Sequence, residues 1–115
     1  MRFSSTILVL LAITLAGCSR GPVVSVTNRS TVVISNAVVS GPLFTNAIGT
    51  LQPGEERSVV VHPHGESHVR LTFDASGQKI DSGGLEYFEE SSSYRVSLTV
   101  TTNLQVESSS SIKHY

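Results

Sequence analysis

The chain has 115 residues, a formal net charge of −1 at neutral pH, 39% hydrophobic residues, one cysteine and no tryptophan. That length fits a single small domain with one core and argues against a large enclosed active-site cavity. Eight Lys or Arg against nine Asp or Glu provide no basic field for nucleic acid, and a lone cysteine cannot build a disulfide framework.

The first 17 residues differ from the rest. Arg2 supplies a minimal positive n-region, and Ile7 to Leu15 forms the apolar h-region of a secretory signal. The run from Phe3 to Gly17 includes Ser4, Ser5, Thr6 and Thr14 and is shorter than the roughly 20 apolar residues of a membrane-spanning helix. It closes on Leu15-Ala16-Gly17-Cys18, which resembles the lipobox of bacterial lipoprotein signal peptides. The resemblance implies a signal helix over residues 1–17 that a peptidase removes before Cys18. It also implies acylation of Cys18 (palmitate or a similar fatty acid) and a cell-envelope address. The only cysteine of the chain stands directly after Leu-Ala-Gly, which favours lipidation over a buried thiol. Two or more acyl chains hold a protein to a bilayer stably, where one binds only reversibly. Ser19 follows the cysteine where inner-membrane-retained members of that family often carry Asp. By that likeness the destination in a Gram-negative envelope is the outer membrane, facing the periplasm. Residues 18–22 then form a short tether, reaching roughly 14 Å, and the remaining chain has seven basic against nine acidic residues.

Downstream, strand signals follow one another at short intervals. Val23 to Asn28 alternates Val with Ser and Thr. Asn28-Arg29-Ser30 matches the N-glycosylation acceptor pattern but is read as a turn. Thr31 to Ser40 predicts a second strand whose register stays open, because Val32-Val33-Ile34 and Ala37-Val38-Val39 are continuous apolar runs; Gly41-Pro42 ends it. Leu43 to Leu51 predicts an irregular or short strand that carries Phe44, Ile48 and Leu51 into the core. Gln52-Pro53-Gly54-Glu55 is a turn with Pro setting φ at its second residue and Gly accepting positive φ at its third. Arg57 to His62 is the next strand. The Gly49-Thr50-Leu51-Gln52-Pro53-Gly54-Glu55 stretch resembles the turn-to-strand step of immunoglobulin-like bacterial domains.

His68 to Asp74 alternates without a fault, with Val69, Leu71 and Phe73 inward; Ala75-Ser76-Gly77 then closes a hairpin. Gln78 to Ser82 carries Lys79 and Asp81, charges suited to an exposed edge. After Gly83-Gly84, Tyr94 to Val100 is a second faultless alternation and predicts a central strand, opened by a Tyr94 placed for a tyrosine-corner contact. Leu104 to Glu107 is the last pairing segment, and residues 108–115, opening on four serines, read as a disordered tail. The predicted fold is all-β: an antiparallel six- to seven-stranded β-sandwich of immunoglobulin-like architecture over residues 23–107.

Two stretches could carry chemistry. In His62-Pro63-His64-Gly65-Glu66-Ser67-His68, a five-residue hairpin loop would set His62 and His68 opposite each other on the outer face, roughly 5 Å apart at Cβ. His64 or Glu66 would add a third ligand, and imidazoles with one carboxylate suit Zn²⁺ or Cu²⁺. The plainer reading is a solvated hairpin tip. In Glu86-Tyr87-Phe88-Glu89-Glu90, Tyr87, Phe88, Glu89 and Glu90 would form a patch for docking an envelope partner; alternatively the aromatics plug one end of the domain. No G-x-S-x-G elbow is present and no cysteine is left for thiol chemistry, so the expectation is a binding or structural module and not an enzyme.

Overall fold

The computed structural model describes residues 21–62, 67–85, 87–88 and 94–112. Eight strands form two sheets of four: β1 (Val23–Asn28), β4 (Glu56–Val60), β9 (Tyr94–Val100) and β10 (Val106–Ile112) in the first, and β2 (Ile34–Gly41), β3 (Phe44–Leu51), β6 (Arg70–Ala75) and β7 (Gln78–Asp81) in the second. Their orders are β10-β9-β1-β4 and β3-β2-β6-β7. Two-residue strands β5 (Ser67–His68) and β8 (Tyr87–Phe88) pair separately.

Inward residues of both sheets form one core. Val24, Val26, Val96, Leu98 and Val100 come from the first, and Ile34, Ala37, Val39, Ile48, Leu51, Leu71 and Phe73 from the second. Each fully buried Val, Leu, Ile or Phe is worth roughly 1.5–3 kcal/mol. The exposed ion pairs Arg57–Glu55 at 3.5 Å and Arg70–Asp81 at 3.2 Å are of a kind worth at most about 1 kcal/mol. Core burial therefore holds the sheets together.

The open register of the second strand is explained by a bulge. Asn36 sits at φ 51°, and the pairing of β2 with β3 and β6 shifts between Ile34 and Val38. The inward face thereby passes from even to odd numbers, so Ile34 is buried before the bulge and Ala37 and Val39 after it. A matching irregularity lies in β3, where Gly49 at φ 91° opposes Ala37 while Ala47 opposes Val38. The spacing of Phe44, Ile48 and Leu51 follows from it, and all three are buried as expected.

Several expectations are corrected. Six to seven strands become eight in the two sheets, because Phe44–Leu51 is a full eight-residue strand and because β10 runs seven residues to Ile112. Residues 108–112 therefore are not tail: their backbone pairs with β9 from Ser108↔Leu98 to Ile112↔Tyr94, and the serines need only extended backbone for that ladder. Residues 113–115 lie outside the described residues. The pairing is not wholly antiparallel either: β1 and β9 run parallel, Val24 beside Val96 and Asn28 beside Val100, since chain from the other sheet separates them.

At one end, Asn28 ties the sheets. It is fully buried; its Nδ2 donates to the carbonyls of Val32 (2.8 Å) and Leu51 (3.0 Å), and its Oδ1 accepts from the Ser30 N–H (3.0 Å) and the Ser30 hydroxyl (2.6 Å). Asn28-Arg29-Ser30 is thus the turn read from the sequence, an Asx-turn whose amide is occupied. The Gln52–Glu55 turn abuts it, with Gly54 at φ 86° donating its N–H to the Asn28 carbonyl and Glu55 N–H bonding back to Gln52.

Candidate functional site

Strand direction gathers the singled-out stretches at the opposite end. β1 starts there at Val23, paired with Val60 and Arg95; β2 finishes there, with Ser40 beside Arg70 and Gly41 opposite Phe44. β4 exits toward it, and the six-residue step from His62 to His68 crosses from the first sheet to the second. Gly21, Pro22, His62, His68, Arg70 and the Pro42-Leu43 tip of the β2–β3 hairpin therefore share one end, which is also the end where the described chain begins.

Among the described residues, the strands on either side of the expected histidine hairpin do not pair with each other. β4 pairs with β1, β6 pairs with β2 and β7, and His68 in β5 pairs with Tyr87 of β8, while His62 follows β4 outside any strand, so the two histidines are not cross-strand neighbours. The inward set was correctly read in Val61, Val69 and Leu71, all fully buried, with Val59 half-buried. That alternation fits two strands of facing sheets as well as two strands of one hairpin, which is why periodicity could not separate them. His62 is exposed; His68 is half-buried, its ring packed against Gly84, where a Cβ would stand 2.9 Å from His68 Cδ2. His64 and Glu66 lie outside the described residues, as does Cys18. Among the described residues no three His, Cys, Asp or Glu side chains are grouped to hold a metal ion.

What the structure does bring together are the two stretches read as separate. β5 and β8 pair antiparallel, Ser67 with Phe88 and His68 with Tyr87, and Leu85 N–H reaches the Val69 carbonyl at 2.7 Å just before them. The backbone of Tyr87 and Phe88 thus extends the histidine segment, while Glu89 and Glu90 lie outside the described residues. A two-residue strand has no period to detect, so nothing in the sequence announced this pairing.

Beside it, Ser40, Gly41, Pro42, His68 and Arg70 line a shallow cleft of about 160 Å³. Sequence reasoning missed Ser40, Pro42 and Arg70, because each belongs to a different local feature and only the β2–β6 register joins them. Arg70 is held across the sheet by Asp81. A second opening of about 340 Å³ lies between β7 and the β9–β10 turn, lined by Ile80, Asp81, Ser82, Leu104, Gln105 and Val106.

No family model and no curated protein matches this chain. Among solved structures it is similar to the NMR structure of a protein from Eubacterium rectale, with a TM-score of 0.56 and 15% identity over 84% of this chain and 92% of that one. At that identity the likeness concerns the fold alone.

Proposed function

We propose that the protein is a lipid-anchored component of a bacterial cell envelope, acting by binding or structure through a domain of immunoglobulin-like β-sandwich architecture. The observation that carries the reading is Leu15-Ala16-Gly17-Cys18, with the chain's only cysteine five residues before Val23, the first residue of β1. Two sheets contributing inward faces to one core support the sandwich assignment. In a Gram-negative envelope, Ser19 favours the outer membrane with the domain in the periplasm. The recognition surface we assign to an envelope partner is the end holding the β5–β8 pair, with the Tyr87–Glu90 stretch. Cys18→Ala should move the protein from the membrane to the soluble fraction and abolish incorporation of labelled palmitate. A variant that still labels and sediments with membranes overturns the anchor.

A second reading, a Zn²⁺ or Cu²⁺ site, draws on the placement of His62 and His68 at one end of the domain, with His64 and Glu66 on the link between them. It requires that calorimetric titration of the domain show metal affinity tighter than about 10 µM, a free energy near 7 kcal/mol. It also requires that the double variant His62→Ala, His68→Ala lose that affinity.

A further inference from the structure

The chain between the anchor and the domain is shorter than its sequence suggests. Gly21 and Pro22 already belong to the body: Pro22 is buried, its carbonyl accepts the Val61 N–H at 3.0 Å, and a Cβ on Gly21 would stand 2.4 Å from the Val61 carbonyl oxygen. Only Ser19 and Arg20 separate Gly21 from Cys18, a reach of about 11 Å at full extension. A strand the length of β1 spans roughly 20 Å, so the Asn28 end of the domain lies beyond that reach whenever the molecule stands upright.

What meets the bilayer then depends on what the near end presents. The outward positions of the sheets are largely polar or charged, Ser25, Ser58, Ser97 and Arg95 on one and Thr72, Asp74 and Lys79 on the other, which disfavours lying flat on lipid. The β2–β3 tip is different. Gly41-Pro42-Leu43-Phe44 carries no charge, and Leu43 is 66% exposed, the more exposed of the two large apolar side chains open to solvent among the described residues. The other, Val33, lies at the far end. Leu43 is not loose. Phe44 beneath it is buried and its ring covers Gly41, where a Cβ would meet Phe44 Cε1 at 2.2 Å and the His68 carbonyl at 2.8 Å. Alternation sends Phe44 inward and so holds Leu43 out.

We propose that Pro42-Leu43 is a second contact with the lipid surface, seated at headgroup depth beside the acylated Cys18 and holding the domain end-on. This rests on the lipid-anchor reading. An amphipathic tip of this kind adds apolar burial at the interface without crossing it. The test uses the full-length chain, purified from membranes with Cys18 acylated and reconstituted in vesicles of phosphatidylethanolamine and phosphatidylglycerol. Leu43→Cys and, at the far end, Asn103→Cys each carry an environment-sensitive fluorophore; acylation blocks the native cysteine. The expected result is a blue-shifted Leu43→Cys probe shielded from an aqueous quencher, with the Asn103→Cys probe fully quenched. Equal quenching of both probes in protein that floats with the vesicles overturns the tip contact and leaves the anchor intact. Equal shielding of both means the domain lies flat, and overturns it too. Shielding at position 43 in native membranes but not in pure vesicles assigns the tip to a protein partner and overturns the lipid contact. A chain recovered unacylated and absent from the floating fraction overturns the anchor, and the orientation with it.

Discussion

Asn28 shows how one polar side chain can do what several apolar ones cannot. Its amide holds the carbonyls of Val32 and Leu51 while its oxygen takes two bonds from Ser30, so the end of β1 is fastened to the start of the β2 segment and to the end of β3. No buried side-chain nitrogen or oxygen among the described residues is left without a partner. Removing the amide would strip its donor from the Leu51 carbonyl and its acceptor from the Ser30 N–H in the interior, each loss costing about 1–3 kcal/mol, while the Val32 carbonyl keeps the Ser30 hydroxyl at 3.0 Å. Asn28→Ala should therefore lose about 3 kcal/mol, read as a fall of more than about 10 °C in Tm; a loss under about 1 kcal/mol would show that water or rearrangement replaces the knot. Its sequence signature, Asn-x-Ser, was legible as a turn, but the burial was not, since the pattern is the same at an exposed site. Gly41 is a parallel case at the other end. A methyl there has no room between the Phe44 ring and the His68 carbonyl, so Gly41→Ala should cost about 1–3 kcal/mol in denaturant unfolding, and Phe44→Leu with it should recover part of the loss. If Gly41→Ala unfolds at the same denaturant concentration as the native chain, the tip is not braced as described.

At the scale of elements, legibility followed periodicity. Val23–Asn28 and Tyr94–Val100 were read to the residue, because strict alternation with one buried face leaves a single register. β7 was read as an edge from Lys79 and Asp81, and it is one. Where a bulge intervenes the alternation breaks, and β2 and β3 looked irregular although both are eight-residue strands. The Ser108–Ser111 stretch failed for another reason. Serine has low strand preference, and β10 is held by backbone pairing to β9 with little side-chain burial, which composition does not report. The strand and tail readings differ in hydrogen exchange. Amides of residues 108–112 that donate to β9 should exchange as slowly as those of β9 itself, whereas a tail would exchange at the rate of an unfolded peptide. Ending the chain at Glu107 should also lower Tm by several degrees, since it strips β9 of a partner along most of its length.

For the whole molecule, one side is fastened and the other open. Arg57 on β4 donates to the Ile48 carbonyl of β3, and Gly49, next to it, leaves room for the guanidinium. The facing edges β7 and β10 instead leave the 340 Å³ opening. Neither feature was readable from the sequence, because each depends on which edges face each other. The candidate site divides in the same way. Its residues were found one stretch at a time, but their convergence came from strand direction: β4 leads out, β6 leads back in, and β5 meets β8 between them. Convergence at the end where the described chain begins bears on the proposed anchor, since a lipid on Cys18 would hold that end, and any partner it meets, at a membrane surface. Intact-mass measurement of the protein extracted from membranes tests this most directly. The prediction is a chain that begins at Cys18 and carries acyl groups on it. A chain that retains residues 1–17, or that carries Cys18 unmodified, would contradict it.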